Sequence, residues 1–206
     1  AFPVALHAAG VFSASALREA SHARGRLMAG DGSDRGTMLA VLAPLADIEK
    51  VIAEEKLDVV LANRNTPSQG VLSGSRDAIA AAEAACAKRS MRCTRLNVGA
   101  AFHSELVAGA ASEFAKALAD VTFSTPRVPV MSNTTGAVWP SEAVEARALL
   151  ARQLASPVRF VEVVEALYAA GARTFLEVGP KSALTGMVKA TLGTRSFTAA
   201  AIDAQS

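Results

Sequence analysis

The sequence predicts an α/β protein with two subdomains. One is a mostly parallel sheet covered by helices, and the other is a ferredoxin-like subdomain inserted into it. Strand-like and helix-like hydrophobic patterns alternate along most of the 206 residues, which is typical of sheets covered by helices. Within residues 36–98 the patterns follow the order β-α-β-β-α-β, which is the ferredoxin-like order. We therefore expect a small subdomain at 36–98, inserted into a larger α/β subdomain formed by 1–35 and 99–206.

The elements of the small subdomain follow from hydrophobic periodicity and from turn residues. Pro44 is compatible with the first turn of a helix, and the Asn-rich stretch that contains Pro67 predicts a turn. The expected elements are a strand at Thr37–Leu42, a helix at 44–54, a strand at 59–62, a turn at 63–68, a strand at 70–73, a helix at Arg76–Lys88 and a strand at 93–98.

The larger subdomain is predicted to be mostly helical around buried strands. Gly10 and Gly171 are typical helix ends, and Pro157 stops the helix before it. The expected helices are 4–9, 15–29, 105–119, 144–154, 160–170 and Ala183–Leu192, the expected strands are 130–132, 174–178 and 197–202, and the expected loops include 30–34 and the turn at 133–136.

Composition excludes several partner classes. The chain is 51% hydrophobic, so it can bury a core, and its 21 basic and 19 acidic residues give a net charge of only +2. No basic run with interleaved aromatic residues is present, so we expect no nucleic-acid partner. No run of 18 apolar residues is present, so we expect no membrane span.

The two cysteines and the first residues indicate a cytoplasmic protein. Cys86 and Cys93 have no CxxC spacing, so we expect reduced thiols and no metal site. The apolar opening 1–17 lacks the basic residues that begin a signal peptide. Because the chain begins without Met, we expect a fragment or a processed product.

His103 is the first candidate catalytic residue. It follows an apolar, β-branched stretch and precedes a helical pattern, which places it on a strand-to-helix connection. An imidazole there can act as a general base near neutral pH. A structural or solvated histidine is the alternative, because a base also needs a group to activate.

Arg24 is the second candidate. It shares a helix face with apolar residues at three- and four-residue steps, including Leu17, Ala20 and Leu27. Arg24 can snorkel at the edge of the core, or it can lie at the floor of a pocket and receive an anion. The helical pattern alone leaves both interpretations open.

Six segments of the chain form a recognisable series. They are ALHAAGVFS at 5–13, RGRLM at 24–28, NRNTPSQGVLSG at 63–74, AFHS at 101–104, RQLASPVRF at 152–160 and FLEVGP at 175–180. These segments resemble the acyltransferase family, which comprises malonyl-CoA:acyl-carrier-protein transacylases and the acyltransferase domains of polyketide and fatty-acid synthases. They occur in the family's order and are spread over nearly the whole chain, so together they are far more specific than any one of them.

The resemblance implies a role for three of these residues. His103 resembles the base that activates a serine nucleophile and later protonates the leaving thiolate. Arg24 resembles the residue that binds the malonyl carboxylate, which a planar guanidinium can hold with two parallel hydrogen bonds. Gln153 resembles the position whose backbone carbonyl orients the imidazole, so its side chain is expected to matter little.

Phe102 and Asn133 are the remaining candidates, both for substrate binding. Phe102 resembles the position that separates malonyl from methylmalonyl selectivity, since a bulky ring leaves no room for an α-methyl branch. Asn133 lies in a Ser-Asn-Thr turn like that of the family, where a turn-forming role is the simpler interpretation. His7 and His22 match no catalytic position and are expected to be structural.

The sequence departs from the family at the nucleophile. The family's serine lies in a Gly-His-Ser-x-Gly elbow just upstream of the segment that resembles Ala5 onward. No serine of this chain has a Gly-x-Ser-x-Gly context, and Phe2-Pro3 and Ala100 also depart from common family residues. The chain is therefore expected to contain the base and the carboxylate-binding residue while the serine lies upstream, and to be inactive alone.

Two functions remain open, together with a third that is disfavoured. The first is a malonyl-type acyltransferase, with malonyl-CoA and the phosphopantetheine of an acyl carrier protein as substrates, no bound cofactor, and ketosynthase and other synthase domains as further partners. The second is a non-catalytic remnant that docks a carrier protein or a synthase, although such a remnant needs neither Arg24 nor His103. The small insert and the absent elbow argue against an unrelated α/β hydrolase.

Overall fold

The computed structural model describes residues 2–29 and 35–204, and the loop expected at 30–34 lies outside them. The helices are α1 (Phe2–Ala8), α2 (Ala14–Ala29), α3 (Leu45–Glu54), α4 (Arg76–Lys88), α5 (Ala108–Ala117), α6 (Ala143–Arg152), α7 (Phe160–Ala169) and α8 (Ala183–Leu192), with a 3₁₀ turn at Glu105–Val107. The strands are β1 (Thr37–Leu42), β2 (Val59–Thr66), β3 (Gln69–Gly74), β4 (Arg92–Arg95), β5 (Thr174–Pro180) and β6 (Thr198–Asp203).

Strands β1 to β4 form one antiparallel sheet in the order β2-β3-β1-β4. Helices α3 and α4 cover one face, where Leu39, Ile48, Leu72 and Ile79 are buried. Helix α4 begins at Ser75, whose hydroxyl accepts a hydrogen bond from the Ala78 amide at 3.1 Å. The connectivity and strand order confirm the ferredoxin-like arrangement expected from the sequence.

The rest of the chain forms a helical layer and a short parallel sheet. Helices α1, α2, α5 and α6 pack around a core that includes Leu6, Phe114, Leu118 and Leu150. Strands β5 and β6 pair in parallel and place one face against α7 and α8. Their other face is uncovered in the described chain.

The sheet of the small subdomain is joined directly to the loop that follows α6. The Val158 amide donates to the Ala62 carbonyl at 2.7 Å, and the Arg64 amide donates to the Val158 carbonyl at 2.9 Å. The Arg64 guanidinium also pairs with Glu162 of α7 at 2.7 Å. These contacts fix β2 relative to the loop at residues 153–159.

Several expected elements differ from those observed, most clearly in four places. The turn expected at 63–68 is shorter, because β2 continues to Thr66 while it pairs with β3 and with Val158. The strand expected at 93–98 is β4, which ends at Arg95. The helix expected at 105–119 begins with the 3₁₀ turn and ends at Ala117, and the strand expected at 130–132 is reduced to a single bridge between Met131 and Val138.

Gly36 is closely packed at the point where the chain enters β1. Its φ is +78°, and a Cβ there would lie 2.3 Å from the Gly74 carbonyl oxygen and 2.8 Å from the Ala101 Cβ. We predict that Gly36→Ala lowers the free energy of unfolding of the protein by about 1–3 kcal/mol, through backbone strain and steric overlap. Chemical denaturation followed by circular dichroism measures this change.

Gly25→Ala is the matched control. Gly25 lies inside α2, and apart from its chain neighbours and the nearby backbone of its own helix, no described atom would lie within 4 Å of its added Cβ. Alanine there should stabilise the helix by about 0.5–1 kcal/mol. Equal stability of Gly36→Ala and the wild type would show that the chain does not approach this closely at β1.

Candidate active site

His103 lies in the connection between β4 and the 3₁₀ turn, in a strained backbone conformation. Its φ is +61°, a left-handed value that costs energy for a residue with a Cβ. Its amide donates to the Leu154 carbonyl at 3.1 Å, so the loop after α6 helps to hold this conformation. This backbone conformation places the imidazole against that loop.

The imidazole is oriented by two backbone carbonyls. Nδ1 lies 3.2 Å from the Gln153 carbonyl oxygen and 3.0 Å from the Ser156 carbonyl oxygen. Carbonyl oxygens only accept hydrogen bonds, so Nδ1 holds the proton of the neutral ring. Nε2 is therefore the basic nitrogen, and it is free to accept a proton from a hydroxyl.

Arg24 projects from α2 toward the same loop. Its helix face packs on the core through Ala20, which is buried, and through Leu17 and Leu27, which are partly buried. The guanidinium NH1 donates a hydrogen bond to Oε1 of Gln153. Arg24 is therefore half-buried and directed to a polar partner, rather than snorkelling to solvent.

Gln153 is the C-cap of α6 and brings the other two residues together. Only 3% of its surface is exposed, and both of its oxygens are used. The backbone carbonyl faces His103 and the side-chain Oε1 accepts from Arg24. The backbone contact with His103 was expected, and the side-chain amide in addition joins α2 to α6.

Burial and charge set the protonation of the site. Desolvation by burial lowers the pKa of His103, and the positive charge of Arg24 lowers it further, against the two carbonyl hydrogen bonds that raise it. Burial also lowers the pKa of Arg24, which nevertheless stays protonated near neutral pH. The site therefore combines an uncharged His103 imidazole with a positively charged Arg24 guanidinium.

Phe102 precedes His103 and contacts the small subdomain. Its half-buried ring packs with Met38, Ala62 and Val71 on the sheet face opposite α3 and α4. Its carbonyl accepts a hydrogen bond from the buried Ser73 hydroxyl at 2.8 Å. Phe102 thus lies where the two subdomains meet, next to His103.

Asn133 lies in the expected turn and supports the same loop through its backbone. Its carbonyl accepts from the Arg159 amide at 2.7 Å, and the Ser132 hydroxyl accepts from the Thr134 amide at 3.2 Å. The side-chain Oδ1 is buried without a hydrogen-bond partner among the described residues. The structure therefore brings together Arg24, Gln153 and His103, whereas Asn133 makes no described hydrogen bond to any of these three.

Sequence reasoning missed two contributors to the site. The Ser156 carbonyl contacts the imidazole, and the Ser73 hydroxyl holds the backbone next to it. Both residues lie inside family-like segments, but neither contact follows from a side-chain type. His7, expected to be structural, hydrogen-bonds through Nδ1 with the Phe12 carbonyl at 2.8 Å.

Metal-binding clusters and membrane-spanning helices are both absent from the described residues. No group of three or more His, Cys, Asp or Glu side chains at 2–29 or 35–204 could hold a metal ion. None of the helices in these ranges combines the length and the apolar character needed to cross a bilayer. Cys86 and Cys93 are free thiols.

The pKa of His103 gives the first test of this site. Because its folded-state pKa is lowered, we predict an NMR titration midpoint below the ordinary 6.5, with the ring neutral at pH 7. Arg24→Met should move the midpoint upward, since it removes a positive charge that opposes protonation. A wild-type midpoint at or above 6.5 would contradict the burial and the proximity of Arg24.

Known proteins match almost the whole chain. A family model described as the acyl transferase domain matches residues 4–203. The spectinabilin polyketide synthase system protein NorB of Streptomyces orinoci is 38% identical over 185 residues, covering 90% of this chain and 8% of that protein. A malonyl CoA-acyl carrier protein transacylase of Bacillus subtilis is 37% identical over 159 residues, covering 75% of this chain and 50% of that enzyme.

A solved structure agrees with the fold. It contains a malonyl-transacylase in complex with its type II polyketide synthase acyl carrier protein, and it matches with a TM-score of 0.89 and 31% identity. The match covers 98% of this chain and 66% of the solved chain, and the chain spans only half of the Bacillus enzyme. The family resemblance carried by the six segments is thereby confirmed, and the chain belongs to the acyl transferase domain family.

Proposed function

We propose that the protein containing this chain transfers a malonyl group from coenzyme A to the phosphopantetheine thiol of an acyl carrier protein. The observation that carries the proposal is the convergence of Arg24 and His103 on Gln153. A cation beside a neutral, oriented base suits an acyl group that ends in a carboxylate. The family membership and the malonyl transacylases among the relatives support the same substrate class.

In the first half-reaction, His103 Nε2 removes the proton of a serine hydroxyl while the oxygen attacks the thioester carbonyl. The tetrahedral intermediate collapses, the C–S bond breaks, and the coenzyme A thiolate takes the proton from the imidazolium. In the second half, His103 deprotonates the carrier thiol, which attacks the serine ester, and the serine regains the proton. We place this serine outside the present chain, upstream of Ala1.

Arg24 is the proposed partner of the malonyl carboxylate. Among the residues at 2–29 and 35–204, Arg24 donates one side-chain hydrogen bond, to Gln153, which leaves four of the five guanidinium donors for a ligand, enough for two parallel bonds to a carboxylate. Its partly buried position strengthens that pairing relative to water. The same charge lowers the pKa of His103, which favours the basic form of the ring.

Phe102 and Asn133 complete the proposed substrate site. The Phe102 ring beside the base supports selectivity for malonyl over methylmalonyl, where one methyl group is worth only about 1–3 kcal/mol. The unpartnered Oδ1 of Asn133 supports a contact with substrate, while its backbone contact with Arg159 supports a role in shaping the loop. We also propose subdomain bounds of 36–98 for the small unit and of 1–35 with 99–206 for the large one.

The uncovered face of β5 and β6 supports the proposal that a segment outside this chain, which contains the serine, packs on this sheet. Leu176 and Val178 are 60% and 81% exposed on β5, and Ile202 is 64% exposed on β6. Parallel sheets are ordinarily covered on both faces. We propose that the remainder of the protein covers this face and that the 206 residues alone do not load an acyl group.

The proposed partners are an acyl carrier protein and, in a synthase, a ketosynthase, in the cytoplasm. A similar transacylase was solved with its carrier protein, and a similar polyketide synthase protein is far longer than this chain. The alternative of a docking remnant explains neither the oriented imidazole nor the directed guanidinium. We therefore favour catalysis.

The Arg24→Ala variant tests the substrate class. We predict that kcat/KM for malonyl-CoA falls at least about a hundredfold relative to acetyl-CoA, because a carboxylate left unpaired in the site loses several kcal/mol. Acyl loading of the full-length protein with each thioester measures the ratio. Arg26→Ala, an exposed residue on the same helix, is the control and should leave the ratio unchanged. Equal losses for both substrates would exclude Arg24 as the carboxylate partner.

A further inference from the structure

The side chain of Gln153 takes no part in the proposed proton transfers. It is buried at the end of α6 and accepts a hydrogen bond from Arg24, a residue 129 positions earlier on α2. The backbone carbonyl of the same residue contacts Nδ1 of His103. One buried residue thus contacts both the proposed base and the proposed carboxylate-binding cation.

The neutral charge of this amide matters. A buried guanidinium without a hydrogen-bond partner is costly, so some acceptor is needed beside Arg24 in the free protein. A carboxylate acceptor would neutralise the cation and occupy its donors in a bidentate pair. The Gln153 amide oxygen is uncharged and accepts one hydrogen bond from Arg24, so the positive charge stays available to an anionic ligand.

Orientation is the second consequence of this hydrogen bond. An arginine side chain has several rotatable bonds, and ordering it during binding lowers affinity. The contact with Gln153 orders Arg24 before substrate arrives, at the residue that also fixes the imidazole. The carboxylate and the acyl carbon of a bound malonyl group are then placed relative to Nε2 by a single rigid helix end.

Building on the proposed function, we propose that the side-chain amide of Gln153 is a specificity-determining positioning residue. It holds Arg24 toward the base while leaving its charge free for the carboxylate of the acyl group. Gln153 acts through Arg24 and need not touch the substrate. Among the described residues, Arg24 is the charged group that acts on His103, so the state of the ring reports whether that charge is free.

Two substitutions in the full-length protein separate charge from orientation. Gln153→Glu places a carboxylate against Arg24, and Gln153→Met removes the acceptor at similar length. Both variants keep the backbone carbonyl that faces His103. Loading with malonyl-CoA and acetyl-CoA is measured for each, alone and combined with Arg24→Met.

We expect the malonyl-to-acetyl ratio of kcat/KM to fall more than tenfold in Gln153→Glu. In Gln153→Met it should fall about three- to tenfold, mainly through the malonyl KM, as the loss of one hydrogen bond predicts. With Arg24→Met already present, Gln153→Met should not change the ratio further, because the amide acts through Arg24. Equal losses for both substrates would show a merely structural role and overturn the inference.

The titration of His103 gives a readout that does not depend on acyl transfer. Gln153→Glu should raise the NMR midpoint of His103, because the new carboxylate offsets the Arg24 charge and favours the imidazolium. Gln153→Met should change it less. An unchanged midpoint in Gln153→Glu would overturn the inference.

The two proposals fail in distinguishable ways. A full-length protein that loads neither thioester contradicts the proposed function, and the His103 titration then decides the present inference. A wild type that selects malonyl through Arg24, with ratios unaltered in both Gln153 variants, overturns the inference and leaves the function intact.

Discussion

The site depends on the hydrogen bonds of one buried helix end. The last carbonyls of an α-helix have no partner within the helix, so they must be satisfied by other groups. At the end of α6, the Gln153 carbonyl faces the His103 imidazole and the Leu154 carbonyl accepts the His103 amide. A general requirement of helix ends thus positions the candidate base and fixes which of its nitrogens is basic.

The same loop also determines how the two subdomains meet. Val158 is hydrogen-bonded on both sides to β2, and Ser156, two residues earlier, contacts the imidazole. Phe102 and His103 are neighbours, one packed on the small subdomain and the other on the large one. Movement of the ferredoxin-like sheet would therefore displace the His103 imidazole. Contacts from both subdomains thus maintain the φ of +61° at His103.

Much of this structure was predictable from local patterns. The β-α-β-β-α-β order, the helix that contains Arg24 and the loop that contains His103 all follow from periodicity, caps and breakers. The turn signals around Asn63 misplaced the end of β2, because pairing with Val158, about 95 positions later, outweighs local propensity. Local patterns in a single sequence do not reveal a pairing between residues so far apart.

The contact between the Gln153 side chain and Arg24 could not be predicted for a related reason. The hydrogen bond to Arg24 depends on how α2 and α6 pack, and periodicity shows which face of each helix is buried but not which residues meet. The family resemblance supplied the backbone role alone. The contact between the Gln153 amide and the Arg24 guanidinium follows from the packing of the two helices.

We expect these 206 residues to contain the base and the carboxylate-binding cation, while the nucleophile lies elsewhere in the protein. Intact-mass spectrometry after incubation with malonyl-CoA tests it directly, on the isolated chain and on the full-length protein, with peptide mapping of any adduct. The full-length protein should carry one malonyl ester, at a serine outside these residues, and the isolated chain should carry no adduct. A stoichiometric malonyl adduct on a residue between Ala1 and Ser206 would contradict it.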